Sequence, residues 1–165
     1  MNFKQFFVRV VPIIALFAFG CAKNEEVLPP PNDLTFDGNS FTVTSASVIG
    51  VAINNEGHAG ISLISINNLK SKVLTIDVEY SGNSSVEGMY SFPQAVNDKY
   101  LDDWLTTFTI TDGSTFTSTN LSVGTVNVIN NGGDNYTVVI DLIMVDGSAF
   151  KGTYTGDFLV VFNNG

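Results

Sequence analysis

Between residues 73 and 80, apolar and polar positions alternate. Leu74, Ile76, Val78 and Tyr80 point one way, and Thr75, Asp77 and Glu79 the other. A period of two marks a strand with one buried and one wet face. Residues 136–144 repeat the pattern with Tyr136, Val138, Ile140, Leu142 and Met144, but Val139 and Ile143 on the opposite face predict a more central strand. Further strands are predicted at 40–45, 48–53, 59–66, 88–92, 104–111, 122–129, 150–154 and 158–162. Between them fall Asp37-Gly38, Asn54-Asn55-Glu56-Gly57, Ser81-Gly82-Asn83, Asp112-Gly113, Asn131-Gly132-Gly133-Asp134 and Asp146-Gly147, residues that supply positive φ or cap their own turns. Helical periodicity nowhere exceeds about two turns. Its best window, residues 94–104, suits a short helix or an ordered loop.

Short strands punctuated in this way predict an all-β fold: one antiparallel β-sandwich over residues 34–165, with an up-and-down or calycin-like barrel as the alternative. The chain also echoes itself. Asp37 to Thr44 with Ser47-Val48 recurs as Asp112 to Thr119 with Ser122-Val123. Ile76-Asp77-Val78 with Gly88 and Tyr90 recurs, at equal internal spacing, as Ile140-Asp141-Leu142 with Gly152 and Tyr154. Two related halves would each offer one apolar face for the other to cover.

The first 33 residues follow different rules. Lys4 and Arg9 precede an apolar run over residues 10–19 and then Gly20-Cys21, the order of a secretory signal over residues 1–20. The run is too short for a bilayer core, which takes about 20 helical residues, and it contains Pro12. Cys21 is the only cysteine, which rules out a disulfide within one chain. Leu16-Phe17-Ala18-Phe19-Gly20-Cys21 resembles a lipobox, and Lys23, Glu25 and Glu26 resemble the export tag of small Bacteroidota-type surface lipoproteins of unknown role. Asn24 interrupts that tag, and Ala18 and Phe19 depart from the usual box. The resemblance implies cleavage before Cys21, lipid on its thiol, and display on the outer membrane through that anchor. Each buried acyl CH₂ contributes about 0.8 kcal/mol, so two or three chains hold firmly where one would not. Residues 21–33, with Pro29-Pro30-Pro31, read as a semi-rigid tether.

Charge narrows the partners. The chain carries 7 basic and 16 acidic residues. Removing residues 1–20 takes two basic residues and no acid, which leaves a net charge of about −11. Nucleic acid and anionic lipid both reward clustered Lys and Arg, so neither is an expected partner of the body.

Chemistry is sparse. His58 is the single histidine. Its neighbours Glu56, Gly57 and Gly60 make it read as a turn residue with its ring in solvent. One histidine and one acylated cysteine cannot build a His- or Cys-based metal site or a thiol catalyst, which excludes both, and no G-x-S-x-G, H-E-x-x-H or P-loop pattern occurs. A two-carboxylate glycosidase is permitted by the 16 acids without being indicated. The richest stretch holds Asn97, Asp98, Tyr100, Asp102, Asp103 and the only tryptophan, Trp104. Aromatic rings stack on sugar faces while amides and carboxylates take the hydroxyls, so these six are the candidate glycan-binding residues. The competing reading has Trp104 opening a strand and capping the core. Calcium is a weaker candidate, with Asp98, Asp102 and Asp103 as oxygen donors. The expectation is therefore a lipid-anchored binding module of the cell envelope and not an enzyme, with a scaffold or accessory subunit of an envelope complex as the alternative.

Overall fold

In the computed structural model, residues 32–53, 56–81, 85–94 and 99–164 are described. The signal-like segment, Cys21, most of the tether, Asn97 and Asp98 lie outside them. The all-β expectation holds: no described residue is helical. Twelve strands follow in chain order: β1 (Thr35–Phe36), β2 (Asn39–Ser40), β3 (Ser45–Ile53), β4 (Glu56–Asn67), β5 (Lys70–Ser81), β6 (Gly88–Phe92), β7 (Tyr100–Leu101), β8 (Thr107–Asp112), β9 (Thr115–Gly132), β10 (Asn135–Met144), β11 (Ala149–Asp157) and β12 (Leu159–Asn164).

The strands form one connected sheet, in which β5, β8, β9, β6 and β7 close on themselves as a small mixed barrel and the others pack outside it. This differs from the expected two-layer antiparallel sandwich. The reason lies in strand length. β5 and β9, at 12 and 18 residues, each carry two successive neighbours along one edge. On β5, residues 70–75 pair with β8 and residues 78–79 with β7, while β4 occupies the opposite edge throughout. On β9, residues 115–120 pair with β8 and 124–128 with β6. The barrel is mixed because β6 and β7 run parallel through Ser91 and Tyr100; β12 also lies parallel to β3.

Alternation decides what is buried. Leu74, Ile76, Val78 and Tyr80 of β5 share one core with Ala59, Ile61 and Leu63 of β4 and Val138, Ile140 and Leu142 of β10. Phe150 makes aromatic contacts with Phe36, Phe41 and Phe108, their centroids 4.9, 5.5 and 4.8 Å away. Such pairs add about 0.5–1.5 kcal/mol each beyond area burial. Asn32 and Asp33, assigned to the tether by the sequence, bond to the body. The Asn32 side chain donates to the Thr155 carbonyl and accepts the Thr155 N–H, while Asp33 donates its backbone N–H to the Thr153 carbonyl and accepts the Thr153 N–H on Oδ1, so the pair imitates a strand beside β11.

The internal echo is not wired as a duplication. Gly152 pairs with Ile140 inside the second block, whereas Gly88 pairs with Val128 on β9 and not with Ile76. What the blocks share is backbone, since Gly88 and Gly152 both take positive φ, 135° and 121°.

Candidate functional site

His58 is not in a turn. It lies in β4 opposite Glu79 of β5, and Gly60, two residues on, lies opposite Asp77. With the even-numbered residues of β5 turned into the core, Asp77 and Glu79 share the outer face, and His58 leans across them. Its Nε2 is 3.1 Å from Asp77 Oδ2 and its Nδ1 3.4 Å from Glu79 Oε1. Neutral imidazole has one N–H, so both contacts are hydrogen bonds only when the ring is doubly protonated. Tyr100 of β7 faces Glu79 and donates its hydroxyl to Oε2 at 2.7 Å. That bond, followed by burial, pushes the phenol up to about 12, so Tyr100 stays a donor at neutral pH.

Asp77 occupies the interruption between β7 and β8 on the edge of β5. No strand covers it there; the turn over residues 102–106 does. The Asp77 N–H donates to Thr106 Oγ1 at 3.0 Å, and its carbonyl accepts from the Asp102 N–H at 3.2 Å and the Thr106 hydroxyl at 3.4 Å. Thr106 is fully buried and Asp77 is 6% exposed. The Asp77 carboxyl is raised to about 6, first by burial and then by the charges of Asp102 and Glu79, with His58 opposing. Its Oδ1 is buried without a hydrogen-bond partner.

The same turn presents Trp104. Asp102 Oδ1 accepts the backbone N–H groups of Trp104 and Leu105 at 2.9 and 2.7 Å, the capping geometry that favours Asp at the start of a helical turn. The Thr106 N–H closes the turn on the Asp102 carbonyl, Asn120 donates its side-chain amide to the Trp104 carbonyl, and the Leu121 N–H bonds Thr106. The backbone is thus held on both flanks while the indole stands 78% exposed. The reading of Trp104 as the start of a strand capping the core is therefore replaced. β8 begins three residues later, because Asp102 stops the chain with a cap before it can extend.

Of the candidate residues from the sequence, Tyr100, Asp102, Asp103 and Trp104 lie on or beside this turn. Asp102 serves the turn amides with Oδ1, so its part is to hold the loop. Among the described residues, donor atoms with metal-ligand spacing come together at His58, Asp77 and Glu79, one atom of each, all within 4.8 Å of one another. The alternation of Asp77 and Glu79 predicted a shared face. The position of His58 opposite them depends on the β4–β5 register, which alternation within one strand does not give. Comparison with protein-family models, curated proteins and solved structures gave no match.

Proposed function

We propose that the chain is a lipid-anchored protein of the cell envelope, carried by Cys21 on the outer membrane, whose β domain binds glycan at the 102–106 turn and catalyses no reaction. The observation that carries the binding reading is the exposed indole of Trp104 on a backbone fixed by Asp102, Thr106 and Asn120. A stacking platform needs a large apolar face in water and little conformational freedom to lose on binding, and this turn supplies both. Asp103, exposed beside it, and Tyr100 on the adjoining strand supply polar partners for hydroxyls.

The test is a polysaccharide panel titrated against the purified chain. Saturable binding to at least one glycan is expected, and Trp104→Ala should weaken it about tenfold or more, since truncating an anchoring Trp typically costs about 2 kcal/mol or more. The variant should unfold at the wild-type midpoint, because the indole contributes little to the core. Affinity retained in Trp104→Ala would move the site elsewhere. A second reading, a protein partner in an envelope complex, draws on the exposed row Ile49, Leu159 and Val161 along β3 and β12. A blank panel together with crosslinking to one dominant envelope protein would transfer the reading there.

A further inference from the structure

Asp77 is an uncomfortable place for a carboxylate. Its side chain is 8% exposed; Oδ2 meets His58, and Oδ1 is buried with no hydrogen-bond partner. Leaving a buried acceptor unsatisfied is destabilising, and more so for a charged one. A positive ion bound through Oδ2 would offset the charge that this buried carboxyl carries, and the two side chains beside Asp77 are themselves ligand types. We infer that His58, Asp77 and Glu79 bind a divalent transition-metal ion of the zinc kind, through one imidazole nitrogen and two carboxylate oxygens, with a further position open to solvent.

The spacing suits such an ion. Metal–ligand bonds of about 2.0–2.1 Å in a tetrahedron place neighbouring donors about 3.3 Å apart, and His58 Nε2 lies 3.1 Å from Asp77 Oδ2. The third donor, from Glu79, is within 4.8 Å, a separation that a side-chain rotation closes. The Tyr100 hydroxyl on Glu79 Oε2 orients that carboxylate, as outer partners orient the ligands of metal sites. Access is available because Gly60, opposite Asp77, has no side chain, and a Cβ there would meet no heavy atom within 4 Å. His58 is itself 40% exposed. Two carboxylates and one imidazole match the charge of a dication. The nitrogen donor and small donor number favour Zn²⁺, Co²⁺, Ni²⁺ or Cu²⁺ over Ca²⁺ and Mg²⁺, which prefer six or more oxygens. The proposal does not depend on glycan binding. Its three ligands lie on β4 and β5, and Trp104 is not among them.

The experiment uses the whole chain in detergent, without a histidine tag and stripped by chelator. Co²⁺ serves as an absorbing probe and Zn²⁺ as a calorimetric titrant. One equivalent of each should bind, with visible Co²⁺ bands of low-coordinate intensity that Zn²⁺ displaces and a rise in Tm on adding Zn²⁺. His58→Ala, at a part-exposed position, should keep the fold and lose more Zn²⁺ affinity than the about 10–100-fold that removing an outer partner of a ligand costs, and Asp77→Asn and Glu79→Gln should each lose at least that much. Asp112→Asn, opposite Lys70 at the other end of β5, should leave binding as it is. Stoichiometric binding retained in His58→Ala, binding of Ca²⁺ as tight as Zn²⁺, or no saturable Zn²⁺ binding would each overturn the site. His58→Ala decides the matter even if Asp77→Asn fails to fold.

Discussion

Asp77 concentrates the tension in this molecule. Its backbone is fully engaged by Thr106 and Asp102, while its carboxyl sits among His58, Glu79 and Asp102 with one oxygen unpaired. Because burial raises it to about 6 from 3.8, the folded chain holds this proton more tightly than the unfolded chain. Stability linked to Asp77 is therefore greatest below about pH 4, falls as pH rises towards 6, and levels off above that once both states are ionised. In chelator-treated protein, the stability difference between wild type and Asp77→Asn, from urea midpoints, should decline across that window and then stay flat. A difference that is constant or rises with pH would contradict the assignment. The alternation of Leu74 to Tyr80 makes the direction of this side chain legible from the sequence. Its burial is not legible, because the turn that covers it is built from residues 25 to 29 positions later.

The 102–106 turn shows how one element can be both mortar and display. It fills the break in the β5 ladder from one side and holds Trp104 in water on the other. Thr106 is the connecting piece, so Thr106→Val, which keeps the shape and removes the hydroxyl, should leave the Asp77 N–H buried and unpaired. A loss of about 1–3 kcal/mol is expected by chemical denaturation, against almost none for Trp104→Ala. Elements with strict alternation were readable in the sequence: β5 and β10 fall where the pattern puts them, and β6 matches residue for residue. β7, two residues long, leaves no pattern to detect. The first third of β9 was missed because Thr115 to Asn120 carry almost no apolar residues. These residues become strand by hydrogen bonding to β8, without burial. The loop expected around 40–45 as a strand is mostly irregular, since Phe41 turns into the core while the Thr44 hydroxyl bonds across to β4.

At the scale of the whole molecule, β9 closes the barrel through β8 and β6 along one edge and holds the outer strands through β10 along the other. Gly124 lies where the two partners face each other, paired with Phe92 on one side and Leu142 on the other. A Cβ there would run into the Asp141 carbonyl oxygen, a backbone atom that cannot swing aside. Gly124→Ala should cost about 1–3 kcal/mol through overpacking, while Gly60→Ala, which meets nothing, should change the urea midpoint little. An equal effect at both positions would mean that close strand approach is not what Gly124 provides. The sandwich expected from the sequence follows sound local rules, because β4, β5 and β10 do each have one apolar face. What those rules omit is that long strands can change partners partway along an edge.

The clamp of Asn32 and Asp33 on Thr153 and Thr155 has a mechanical meaning under the proposed anchoring. Among the described residues it lies nearest that anchor along the chain, and it consists of a few exposed hydrogen bonds lying outside the aromatic cluster of Phe36, Phe41 and Phe150. Under load these bonds would yield before the core does and pay out a residue or two of slack, so the protein carries its own shock absorber at the root of its stalk.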